Sequence, residues 1–264
     1  MIGLVIALVA GLSVSAATVK SVGQVWAVVW GVAAFMLIQL LIGIIIRVVM
    51  KSRQAKLQNI MMTAQEKINR QMVIYQRRPP SSMREAQETV NRIQNGAAKD
   101  MLAELDGCKS LTYWNMMLGR QLNAMRVQLF FQLKEFKKVD ELLPKSLLLD
   151  QQSMAIKMVR MYRNEDAGLD KFYTRKCARM KGDAAAFLAS VYAWIKIRQG
   201  NTQAAIDALV GVKNRTDNPI VLENCDNLLN GKVKHFSNSG WGDAWYSLML
   251  EEPKIKAQRQ ARMF

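Results

Sequence analysis

The stretch Phe130–Asp150, "FFQLKEFKKVDELLPKSLLLD", reads as the end of one helix, a tight polar corner, and a second helix with apolar residues three or four apart. Whether it is a lone hairpin or one copy of a repeated unit decides the fold. Offset by 66 residues, so that Lys134 falls on Gly200, it aligns with "IKIRQGNTQAAIDALVGVKN", Ile195–Asn214. Each copy then has a helix end, a corner and an amphipathic second helix. Midway lies "MYRNEDAGLDKFYTRKCARM", Met161–Met180, with Gly168 in the corner position. A period near 34 residues with two helices per unit is the pattern of a stacked helical repeat. One such pair cannot bury its apolar face alone, so neighbouring pairs stack and leave a concave surface.

Working outward, the chain divides by charge. Of its 264 residues, 37 are Lys or Arg and 21 Asp or Glu, a net charge of +16, yet residues 1–50 contain only Lys20 and Arg47. The run Val25–Ile46, "VWAVVWGVAAFMLIQLLIGIII", supplies the roughly 20 apolar residues that a helix needs to cross the hydrocarbon layer. Its one polar member, Gln39, reads as a helix-packing residue. The first run, residues 2–19, has no basic residue ahead of it, as a secretory signal would. It does carry Gly3, Ala7, Gly11 and Ser15 on one stripe, matched by Ala27 and Gly31. A membrane hairpin, residues 1–50 with spans at 2–19 and 25–46, is the preferred reading; a signal segment cleaved after Ala16 is the alternative.

Arg47, Lys51, Arg53 and Lys56 follow the second span as membrane-surface basic residues, and the positive-inside rule puts the C-terminal part in the cytoplasm, beside the inner membrane. Anionic lipid attracts such a segment. Residues 51–78 also place Leu57, Ile60, Met61, Ala64, Ile68, Met72 and Tyr75 at helical spacing, an amphipathic helix that either docks on the following domain or serves dimerisation or lipid contact. Prolines in the linker 79–82 close it. Ser82 and Glu85 have capping-box spacing and start a helix expected to stop near Asn95–Gly96. Residues 83–252 show almost no period-two alternation and read as all-α, with Pro144 expected to split its helix.

"ASVYAWIKIRQGNTQAAIDALVGV", Ala189–Val212, resembles a tetratricopeptide unit, with Gly200 at the corner and Ala205 and Leu209 at the small and large packing positions. "FQLKEFKKVDELLPKSLLLD" resembles another, with Phe136 after the corner, Val139 in place of Ala, and Leu143. Lys134 stands where Gly is usual and Lys196 where an aromatic would be. The resemblance covers Met117–Asn214 and implies an α-solenoid of antiparallel helix pairs whose groove receives a peptide or helix of a partner protein. The groove residues are then Tyr192, Lys196, Gln199 and Asn201, with Arg163 and Asn164 from the middle unit. Membrane-anchored tetratricopeptide proteins of bacterial envelopes have a similar layout.

An enzyme is not expected. His235 is the only histidine, Cys108, Cys177 and Cys225 show no C-x-x-C spacing and read as free buried thiols, and no phosphate-cradling glycine motif is present. No metal or cofactor is implied. Trp241, Trp245 and Tyr246 form a C-terminal aromatic segment that either caps the array or docks a partner. The tail, 253–264, is basic. The net charge keeps RNA association as the alternative to a protein partner, although much of the excess lies beside the membrane and in the tail.

Overall fold

The computed structural model describes residues 2–114 and 116–253 and divides the chain into two compact units, Met1–Leu147 and Leu148–Phe264. The basic tail from Lys254 onward lies outside the described residues. Among the described residues every regular element is helical.

In the first unit, α1 (Ile2–Val22) and α2 (Gln24–Arg77) form an antiparallel hairpin. Gly23 alone joins them, at φ 80°, a left-handed conformation that glycine adopts without steric cost. The small-residue stripe is the hairpin's seam. Gly3, Ala7, Gly11, Ala27 and Gly31 are all buried; Gly3 faces Ile42, and Gly11 faces Gly31 so closely that a Cβ added at Gly31 would lie 2.7 Å from the Gly11 carbonyl. Away from the seam the two apolar runs stay exposed: the most apolar window of α2 buries none of its residues and that of α1 buries 17%. Both helices are long and apolar enough to cross a membrane.

Helix α2 continues without a break from the apolar run into the basic segment, because nothing between Ile46 and Arg77 interrupts helical propensity. It ends at Arg77, before the prolines. Ser82 caps α3 (Met83–Asp106) by accepting from the Glu85 N–H at 3.1 Å; the Glu85 carboxylate returns to Ser81 rather than to Ser82. Asn95–Gly96 does not stop this helix. Burial of Ala98 and Leu105, with packing of α3 on α2 and on α5 (Met116–Gln132), outweighs the cost of about 1 kcal/mol for one internal glycine. The short α4 (Lys109–Thr112) links α3 to α5. Leu57, Leu105, Cys108, Leu118 and Leu122 make a core that Ile46 and Met50 of α2 flank. After α5 come a corner at Lys134 and α6 (Phe136–Leu142), which Pro144 ends in a 3-10 turn, Leu143–Lys145, as its missing N–H requires.

The second unit is built on α9 (Gly182–Arg198), buried continuously from Ala185 to Lys196. Against it lie α7 (Gln151–Arg163) and α10 (Thr202–Lys213); α8 (Leu169–Arg175) packs on α7, and α11 (Pro219–Leu229) on α10. Buried Asn224 and Asn238 hold the following loop in place: Asn224 bonds the Ser237 backbone, and Asn238 donates to the Ser190 carbonyl at 2.9 Å. The final turn, α12 (Asp243–Tyr246), presses Trp245 fully into the core.

Candidate functional site

Four helices end in the same way. At Lys134 (φ 61°), Glu165 (φ 54°), Gly200 (φ 78°) and Gly231 (φ 71°) the chain turns left-handed. At each, the corner N–H and the next one bond back to carbonyls of the last helical turn: Lys134 to Phe131 and Glu135 to Phe130, Glu165 to Tyr162 and Asp166 to Met161, Gly200 to Ile197 and Asn201 to Lys196, Gly231 to Leu228 and Lys232 to Asn227. This left-handed C-cap satisfies carbonyls that a helix end leaves without partners. The four corners recur on average roughly every 32 residues, close to the period of helix-pair repeats. The middle corner is Glu165, not Gly168, which has ordinary helical angles and caps the start of α8. Val139 and Leu143, at the same offsets after Lys134 as Ala205 and Leu209 after Gly200, are buried like them.

The corner at Glu165 opens a cleft of about 470 Å³. The end of α7 gives it Tyr162 and Arg163, the corner gives Glu165, Asp166 and Ala167, the first turn of α8 gives Leu169 and Asp170, and α9 gives Lys196 and Gln199. Asp170 is the hub. Its carboxylate accepts from Lys196 Nζ at 2.6 Å and from the Tyr192 hydroxyl at 2.9 Å. Tyr192 stacks on Tyr173 with ring centroids 3.9 Å apart, and the Lys196 ammonium lies 5.4 Å from the Tyr192 ring centre. Burial first, and then the Asp170 carboxylate, push the Tyr192 phenol above its usual range, so it stays protonated and donates. The Asp166 carboxylate accepts from the Gly168 N–H at 2.7 Å.

Of the predicted groove residues, Arg163, Lys196 and Gln199 meet in this cleft. Tyr192 stands behind it with its ring buried, reaching the cleft's Asp170 through the hydroxyl. Asn201 caps α10 by accepting from the Ala204 N–H, and Asn164 terminates α7 and accepts from Arg160. Both asparagines sit at helix ends as caps. Sequence reasoning missed Glu165, Asp166 and Asp170; the mixed-charge run "RNEDAGLD" was the signal that held them.

The aromatic segment closes the second unit. Trp245 is fully buried, meets Trp194 edge to face, and donates to Glu251, which also accepts from Trp194 Nε1 at 2.7 Å. Trp241 packs edge to face on Phe187, and Tyr246, next to Trp245 in sequence, is half-buried. Of the three aromatics, Trp245 lies in the core, while Trp241 and Tyr246 keep part of their surface exposed. The four basic residues predicted to lie at a membrane surface divide into two pairs. Arg47 and Lys51 are exposed, whereas Arg53 bonds Glu104 of α3 and Lys56 lies 3.9 Å from the same carboxylate.

The three cysteines are buried, and burial pushes the Cys177 thiol up to about 12, which leaves almost no thiolate at neutral pH. The cleft offers an ion pair with a buried ammonium and a half-exposed carboxylate, together with one guanidinium, two further carboxylates and an amide.

No family model, no curated protein and no solved structure matches the chain.

Proposed function

We propose that this chain is a membrane-anchored scaffold whose helix-pair repeats hold a peptide or helix of a partner protein. The observation that supports it most is the recurrence of one hydrogen-bonded corner at Lys134, Glu165, Gly200 and Gly231, with buried residues at matching offsets after two of them. Repeated helix pairs are a binding architecture, since stacking leaves side chains of successive units on one continuous surface. The recognition site in this reading is the cleft at Glu165, whose rim of Glu165, Asp166, Arg163 and Gln199 suits a polar segment carrying a basic side chain. The α1–α2 hairpin is the membrane anchor, with its apolar exterior toward lipid and Arg47 and Lys51 at the anionic cytoplasmic surface.

The test is site-directed photo-crosslinking in native membranes. A photoreactive residue at Gln199 is expected to capture a discrete protein, and Glu165→Lys in the same chain to abolish the capture. Crosslinks to nucleic acid instead, with a steep dependence on salt, would favour the RNA reading that the net charge of +16 keeps open. Reporter fusions after Lys20 and after Phe264 fix the topology, the first expected outside and the second in the cytoplasm.

A further inference from the structure

Two large aromatic side chains of the first unit stand exposed where an apolar helix would leave the bilayer. Tyr113 is 66% exposed and Trp114 41%, and Met117 nearby is exposed as well. The connection that carries them is fixed to the start of α1: the Ile2 N–H donates to the Tyr113 carbonyl at 3.0 Å. That bond satisfies one of the amides that a helix start leaves open, which in hydrocarbon would be costly. A Cβ built on Gly3 would lie 3.3 Å from the Trp114 carbonyl and 3.3 Å from Ile42 of α2, so Gly3 is the small residue that permits this approach.

These contacts set the depth. Tyr113 and Trp114 are held beside Gly3, which faces Ile42, and Arg47 follows along α2 roughly 7 Å further on at 1.5 Å per residue. They therefore lie about one and a half helical turns inside the first charged residue, within the zone where an amphipathic ring has its apolar body in the acyl chains and its polar edge among headgroups. At the other end of the hairpin, Trp26 and Trp30 are exposed beside the Gly23 turn. Trp26 to Arg47 spans roughly 30 Å of helix, the thickness of the hydrocarbon core.

We infer that Tyr113 and Trp114 form an interfacial anchor that inserts into the cytoplasmic headgroup region of the bilayer, a membrane contact beyond the two spans. The inference rests on the hairpin being a membrane anchor. Its consequence is orientational. Since α3 and α5 pack with α2 in one unit, a hairpin alone leaves that unit free to tilt with α2 as a body, whereas a third attachment through the α4–α5 connection fixes its tilt to the membrane plane.

The test is spin-label depth measurement on the full chain in mixed phosphatidylcholine–phosphatidylglycerol vesicles. Labels are placed singly at Tyr113→Cys, Trp114→Cys, Val32→Cys and Lys99→Cys, all exposed positions, with the unmodified chain giving the background from its three buried cysteines. Val32→Cys is expected to collide with oxygen and lose contact with a water-soluble nickel chelate, and Lys99→Cys to show the reverse. Residues 113 and 114 are expected between them, with the chelate contact reduced and oxygen contact raised relative to Lys99→Cys. A deep label at 32 with fully aqueous labels at 113 and 114 overturns the anchor and leaves the hairpin standing. An aqueous label at 32 overturns the membrane reading itself.

Discussion

Asp170 is the residue on which the cleft turns. Lys196 is nearly buried, with 9% of its side chain exposed, while Asp170 keeps 59%, so the carboxylate is partly screened and the ammonium is not. Removing the carboxylate leaves a buried cation over the Tyr192 ring without its ion-pair partner, whereas removing both charges leaves no unpaired ammonium behind. Asp170→Ala is expected to cost about 1–2 kcal/mol, discounted for the exposure of the acid, and the pair Asp170→Ala with Lys196→Met less than Asp170→Ala alone. Urea denaturation of the four chains completes the cycle; a double variant weaker than either single one counts against the pair. The second acid with a defined task is Glu104, which Arg53 holds below the usual carboxylate range chiefly by its hydrogen bond. A depressed folded pKa means stabilisation present above the unfolded value near about 4.3 and lost as pH falls through the folded one. Thermal unfolding of the full chain in detergent should therefore separate the native protein from Glu104→Gln at pH 7, and the gap should close on acidification below the carboxylate range.

Among the elements, the corners carry the clearest physical signature. Lys134 and Glu165 hold the left-handed geometry that costs a residue with a Cβ about 1–2 kcal/mol, and Gly200 and Gly231 hold it freely. Lys134→Gly is therefore expected to stabilise the fold by about 1 kcal/mol and Gly200→Ala to destabilise it by about the same amount. Opposite signs at equivalent positions, read from urea midpoints, are what a shared corner requires. Like signs would mean that the two turns are not equivalent. The same geometry explains what could be read in the sequence. Gly200 announces its turn, and Lys134 follows from alignment with it. Glu165 leaves no compositional mark, and Gly168, close by, is a decoy that serves as a helix start. Asn95–Gly96 misleads in the other direction, because packing of α3 on two neighbours carries the helix across it. In the cleft, Arg163, Lys196 and Gln199 were legible from their place near the corners, while Asp170 was not, since it sits on α8, too short to show a period. The small-residue seam of the hairpin was legible outright, because close backbone approach admits few residue types.

At the scale of the whole molecule, the division at Leu147 cuts across Met117–Asn214, the stretch that resembles a helical repeat, so corner Lys134 belongs to the unit that contains the hairpin and the other three corners to the second. The second unit has what an independent domain needs. Helix α9 is buried along most of its length by α7 and α10, and Phe187, Leu188, Ile195, Leu209 and Leu248 are almost fully enclosed. Its terminal segment supplies the closing piece: Trp245 at 0% exposure shares the Glu251 carboxylate with Trp194, which ties the cap to the central helix through one acid. A chain of more than about 100 residues with such a core is large enough to fold alone. The fragment 148–264, made without the hairpin, is expected to be helical by circular dichroism and to unfold cooperatively in urea, and Trp245→Ala within it to lose about 3–5 kcal/mol. A gradual, non-cooperative transition in the unmodified fragment would mean that its core borrows order from the first unit. A cooperative transition that Trp245→Ala leaves unmoved would remove the aromatic segment from the cap and return it to the surface as a candidate docking motif.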